Sequence, residues 1–204
     1  MTSLLIFIKH RCPWIWRMVE RVNGRLFALR CPEFGETVAG VLDGFAVDGF
    51  RFSTVSEGDI VPLSEFLKGQ PAERLEHFDP HGFDCATLRR LHENPAFAMM
   101  KIADSRDGRI VGYFFLRCFF VGRAFHGLVA DSGCAGRGLG AAMWSVSARI
   151  CAQSGLRMFA TVSERNAASL ASARRGSEVT VVERLADGYV LIECKPKKSG
   201  NDDD

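Results

Sequence analysis

The chain has 204 residues, 47% of them hydrophobic and 25% charged, with a formal net charge of +2. This length and apolar content suffice for one full domain plus an extension and exclude wholesale disorder. So small a charge gives no reason to expect a nucleic-acid partner, and no run approaches the roughly 18 apolar residues of a membrane span, so we expect no transmembrane segment.

Residues 1–45 read as a basic, aromatic amino-terminal extension. Between Met1 and Cys31 six basic residues stand against Glu20 alone, with Phe7, Trp14, Trp16 and Phe27 among them. Two readings stay open: a weak contact of residues 9–30 with an anionic membrane surface, or a helix packed on the main domain through Trp14, Met18 and Val22. The apolar start Leu4 to Ile8 is followed at once by Lys9, His10 and Arg11, whereas a signal peptide carries its basic residues first. The seven cysteines are odd in number and scattered, without a Cys-x-x-Cys pair. That pattern indicates neither a disulfide framework nor a metal site and fits the reducing cytoplasm.

From residue 46 to 194 the pattern becomes regular. Arg51 to Val55 reads as a strand, and Ser56 with Asp59 caps a helix reaching Lys68. After the turn-rich stretch from His77 to Phe83, Asp84 caps a second helix that runs to about Glu93, before Pro95. Phe97 to Ala103 and Ile110 to Phe120 form a hairpin, and Arg123 to Asp131 adds a strand. A helix to Gly155 follows, then a strand over 156–162, a helix over 166–175 and a closing hairpin through Cys194. Residues 195–204 read as a charged, disordered tail.

Between the strand at Asp131 and the next helix lies Gly136-Arg137-Gly138-Leu139-Gly140. A strand that runs through alternate glycines into a helix gathers free backbone N–H groups at a positive helix end, where an anion binds. A nucleotide P-loop needs Gly-Lys-Ser/Thr, but Ala141 and Ala142 follow Gly140. The dinucleotide fingerprint is met formally by Gly136, Gly138 and Ala141, with Glu164 as ribose acid. Its late position in the chain, after an antiparallel hairpin, argues against it.

The blocks Leu128-Val129-Ala130 with Ala135-Gly136-Arg137-Gly138-Leu139-Gly140-Ala141, and Asn166-Ala167-Ala168-Ser169, resemble the GNAT superfamily of acyl-CoA N-acyltransferases. The resemblance spans about residues 50 to 194. It implies an α/β (α+β) fold with a mixed, mostly antiparallel sheet of six to seven strands flanked by about four helices. It also implies acetyl-CoA as co-substrate, bound by those two blocks, and N-acetyl transfer to a primary amine of a small molecule, for example an amino-sugar, or of a protein. Three positions depart from the family pattern: Ala135 stands for Gln or Arg, Cys134 for an aromatic, and Ala173 for the acid tyrosine. A non-catalytic CoA-binding module tethered to a partner or membrane is the competing reading, and a homodimer is compatible with either.

Such chemistry needs a base, an oxyanion donor and an acid. The resemblance assigns the donor to a backbone N–H at Val129 or Ala130. His126 is the leading base, because it alternates with Leu128 and Ala130 and an imidazole titrates near working pH. The turn residues His77, Asp79 and His81, and more weakly Glu57, are the other candidates, and Tyr113 and Tyr189 are the only tyrosines.

Overall fold

The computed structural model describes residues 13–198 apart from His77 and Asp79. Seven strands form one sheet in the order β1-β2-β3-β4-β5-β7-β6. They are β1 (Phe50–Thr54), β2 (Phe97–Asp104), β3 (Ile110–Phe119), β4 (Arg123–Ala130), β5 (Arg157–Ser163), β6 (Glu178–Arg184) and β7 (Tyr189–Lys195). Every pairing is antiparallel except that of β4 with β5. The expected sheet is therefore present, and so are the four expected helices: α3 (Ile60–Lys68), α5 (Cys85–His92), α6 (Leu139–Gln153) and α7 (Ala167–Gly176). The single-turn α4 (Ala72–Leu75) was not anticipated.

The expected caps account for where these helices begin. Asp59 accepts hydrogen bonds from the N–H and hydroxyl of Ser56, and a short 3-10 turn over Glu57–Asp59 leads into α3. Asp84 accepts from the Thr87 N–H at the start of α5, and Asn166 from the Ser169 N–H at the start of α7.

Alternation along β3 divides the interior in two. Phe114, Leu116 and Cys118 face one core, shared with Trp144 and Ile150 of α6. Tyr113 and Phe115 face the other, shared with Leu63 of α3 and Leu88 of α5. Such two-sided burial explains why β3 is almost continuously apolar.

The amino-terminal segment adds α1 (Pro13–Arg30) and α2 (Phe34–Asp43). It belongs to the first core: Phe27, Phe34, Val38 and Leu42 are buried there. A packed α1 was one of the two expectations, but Met18 and Val22 do not make the contact, and the expected Trp14 side chain lies outside the described residues. Met18 and Val22 are 53% and 50% exposed, and Asn23 and Phe27 face inward instead. Of the expected tail, Lys195 ends β7, and residues 199–204 lie outside the described residues. Among the described residues no helix is long and apolar enough to cross a membrane.

Candidate active site

The site originates in a mismatch between two strands. β4 and β5 pair only at Arg123, Ala124 and Phe125, against Arg157, Met158 and Phe159. Beyond that point β4 follows β3 as far as Ala130, while β5 follows β7 as far as Ser163. The two strands diverge, and the gap between them is a cavity of about 640 Å³.

Strand geometry decides which backbone groups enter this gap. The Asp131 N–H donates to Val111 O at 2.8 Å, and β4 keeps an unbroken register with β3. Alternate residues of an antiparallel ladder turn both backbone groups toward the same neighbour. Val129 is thus committed to β3, and the groups of Leu128 and Ala130 point into the cleft. Of the two expected donors only Ala130 is available, and Leu128 joins it. Consistently, the Ala130 carbonyl is reached from the cleft side by Arg74 of α4, whose Nη1 donates at 2.9 Å.

The glycine loop closes the wide end. Gly136 and Gly138 have φ of +77° and +79°, a region that L side chains rarely adopt, and a Cβ on either would meet nothing within 4 Å. Both features suit a loop that must turn tightly and leave space above itself. Gly138 caps α6, whose first intrahelical donor is the Ala142 N–H, bonded to Gly138 O at 3.0 Å. The N–H groups of Leu139, Gly140 and Ala141 precede it and have no intrahelical acceptor. Gly140 has a different role: a Cβ there would come within 3.1 Å of Ser172 Cβ, so its absence lets α7 approach α6.

The remaining site residues separate by location. Ala135, Asn166 and Ser169 line the cavity with the glycine loop. The Arg137 side chain does not line it: the guanidinium lies 4.2 Å from the Phe50 ring centroid. His126 reaches the cavity wall but is only 7% exposed. Its ring packs against Trp144 with centroids 4.4 Å apart, and its Nδ1 is 3.3 Å from Phe115 O. A carbonyl partner requires the proton on Nδ1, which leaves Nε2 as a bare acceptor with no partner among the described residues. Burial lowers the pKa to about 3, only partly opposed by the Phe115 hydrogen bond. The imidazole is therefore neutral at working pH and does not titrate near its ordinary value, contrary to the expectation from sequence.

Among the described residues the other base candidates are committed elsewhere. His81 lies off the cavity, with Nε2 3.1 Å from the Tyr113 hydroxyl and Nδ1 3.0 Å from Gly82 O. Glu57 pairs with Arg89 at 2.7 Å. Burial pushes the Tyr113 hydroxyl well above the usual range for a phenol. His77 and Asp79 lie outside the described residues. Glu164, the ribose acid of the dinucleotide alternative, is 3.3 Å from Arg184 instead.

Sequence reasoning missed several lining residues. Ala173 is fully buried in the core, and Ser172, one position earlier, faces the cavity where the family tyrosine was sought. Its hydroxyl accepts from Trp144 Nε1 at 3.2 Å and donates to Ser169 O at 2.8 Å. Arg165 and Arg175 bring cations to the loop end, and Glu73 and Phe78 line the wall beside Arg74. The arginines could have been found, since they bracket the Asn166 helix; nothing in the sequence marks Glu73. A second hollow of about 380 Å³ shares Ala141 and Arg175 with the first and adds Arg149, Lys197 and Phe45. Among the described residues, no group of three or more His, Cys, Asp or Glu side chains is arranged to hold a metal ion.

A family model described as the acetyltransferase (GNAT) family matches residues 63–176. Among solved structures, the GNAT domain of PAT from S. lividans superimposes with a TM-score of 0.60 at 16% identity, over 71% of this chain and 89% of that one. The ribosomal-protein-S5-alanine acetyltransferase from Vibrio fischeri gives 0.56 at 17% identity, over 78% and 97%. The aminoglycoside acetyltransferase AAC(6')-Ib, in complex with coenzyme A and kanamycin, gives 0.55 at 13% identity, over 72% and 95%. At these identities the likeness is one of fold. No curated protein matches the sequence.

Proposed function

We propose that this chain, which belongs to the acetyltransferase (GNAT) family, transfers an acetyl group from acetyl-CoA to a primary amine of a small molecule or a protein. The observation that carries this reading is the cleft between β4 and β5, which joins inward backbone donors to a glycine loop at a helix start. The parts fit the co-substrate in order. The open amides of Leu139, Gly140 and Ala141 suit a pyrophosphate, with Arg165 and Arg175 adding charge. The second hollow, with Arg149, Arg175 and Lys197 and no carboxylate in its lining, suits the 3′-phosphate at the far end of CoA. Backbone groups of Leu128 and Ala130 suit the extended thioester arm.

In the reaction the amine nitrogen bonds to the thioester carbon, the carbon–sulfur bond breaks, the ammonium proton leaves to solvent and the thiolate takes one up. The Ala130 N–H is placed to polarise the carbonyl as its oxygen gains charge. His126 serves this reading as an uncharged acceptor in the cavity wall, because its burial disfavours the charged imidazolium. With an ordinary thiol pKa of about 8.5, the leaving thiolate does not require a tyrosine. Among the described residues, Glu73 is the exposed carboxylate of the lining and suits the cationic acceptor, an amino-sugar or a protein amine. The six cysteines among the described residues are all free thiols, in keeping with a cytoplasmic setting.

One observation favours a CoA-binding module without turnover: Ala173 stands at the expected acid position, and the neighbouring Ser172 hydroxyl is already bonded to Trp144 and Ser169. Two measurements separate the readings. Acetyl-CoA is expected to raise the melting temperature, and a panel of primary amines is expected to release free thiol from it. A thermal shift without thiol release on any amine supports the idle module; no shift at millimolar acetyl-CoA overturns both.

A further inference from the structure

A surface helix of a globular protein turns its apolar stripe inward; α1 also carries one outward. Met18, Val19, Val22, Leu26 and Leu29 are 53%, 45%, 50%, 40% and 81% exposed. At 3.6 residues per turn these five fall within an arc of about 100°. Arg21 and Arg25 border the arc on one side and Arg30 on the other, all exposed and none paired with a carboxylate among the described residues. The opposite face is fixed. Phe27 is fully buried, a Cβ on Gly24 would come within 2.7 Å of Asn94 Oδ1, and the Asn23 side chain donates to Cys118 O and accepts from the Phe120 N–H. The helix cannot roll its stripe inward without breaking these contacts. Phe120 and Val121, 45% and 59% exposed, stand beside it at the β3–β4 turn.

We propose that this face of α1 docks the protein on an anionic lipid surface, with the apolar arc in the acyl boundary and the arginines among the headgroups. Charge selects lipid over a second copy of the chain. A two-fold interface sets the same patch against itself, and this patch would bring unpaired arginines together with no carboxylate between them. Glu20, the nearest acid, is half-buried and turned toward Arg90 at 3.9 Å.

The test is flotation of the full chain with phosphatidylcholine vesicles, with and without about one-third phosphatidylglycerol, at low and at roughly 0.5 M salt. Wild type is expected to prefer the anionic vesicles at least tenfold and to lose that preference at high salt. Val22→Asp with Leu29→Asp, and separately Arg21→Glu with Arg25→Glu, are expected to weaken binding at least tenfold. Both pairs are exposed, so melting temperature and CoA binding should hold. Leu4 to Ile8 is also apolar, so unchanged flotation of both variants would overturn the assignment to α1. No binding, or equal binding to neutral vesicles, would overturn it as well. Self-association in ultracentrifugation, abolished by Val22→Asp with Leu29→Asp, would give the stripe to a second copy and sink the proposal.

Discussion

Gly138 separates the two consequences of a left-handed loop residue, its effect on stability and its effect on binding. Its φ is +79° and a Cβ there meets nothing within 4 Å, so Gly138→Ala carries a backbone cost without a packing clash. That cost is about 1–2 kcal/mol. Gly155, in the turn after α6, has φ +64° and equally open surroundings but lies off the cavity. The two alanine variants should therefore lose similar stability in urea denaturation, and only Gly138→Ala should lose affinity for CoA. Gly138→Asp adds a negative charge. A carboxylate about 5 Å from a phosphate is repelled by about 1 kcal/mol at the dielectric of water and about 3 kcal/mol at an effective value of 20. Calorimetric affinity should then fall several-fold to a few hundred-fold beyond that of Gly138→Ala. If Gly138→Asp binds CoA as Gly138→Ala does, or Gly155→Ala loses affinity equally, the loop does not hold the pyrophosphate.

The second hollow sets a cofactor preference: CoA should bind more tightly than dephospho-CoA, and Arg149→Gln with Lys197→Gln should erase the difference in calorimetry while both ligands still bind. His126 sets a pH dependence. Its pKa is about 3 folded and about 6.5 unfolded, so the unfolded chain takes up the proton first and stability is lost as pH falls below 6.5. At pH 5 the loss is about 2 kcal/mol relative to pH 7.5; His126→Gln should lack that component in denaturant titrations, and wild-type turnover should show no inflection at 6.5 that the variant lacks. Gly176→Ala should destabilise by about 3 kcal/mol, or about 10 °C in melting, because the new Cβ would lie 2.1 Å from Ala141 O where α7 crosses α6.

Much of this arrangement is legible in the sequence where backbone chemistry decides it. Asp84 and Asn166 start helices because a carboxylate or amide satisfies a free N–H, and that rule needs no tertiary context. The glycine loop is legible for the same reason. Side-chain destinations are not, because they depend on what another element brings. Arg137 sits within the glycine loop in sequence, yet Phe50, eighty-seven positions away, supplies a ring for it to stack on. His126 alternates correctly on β4, but its environment is set by Trp144, one layer away. Helix α2 gave no start signal: Glu33 precedes it without a side-chain cap, and its stability comes from Phe34, Val38 and Leu42 entering a core assembled from distant segments.

The low identity to solved structures of this fold follows from the same division of labour. The cleft arises because β4 is claimed by β3 and β5 by β7, a consequence of register that many side-chain sets satisfy. In the proposed function the groups that meet a thioester and a pyrophosphate are amides, so substitutions at Ala135 or Ser172 would leave them in place. What side chains must supply is room: a glycine at 136 and 138 for a left-handed turn, at 140 and 176 for the approach of α7 to α6, and at 127 for the Phe115 ring, which a Cβ would meet at 2.4 Å. The proposed function leaves acceptor choice freer still. It would fall to the wall formed by Glu73, Arg74 and Phe78, and these residues lie outside the strand ladders that hold β4 and β5.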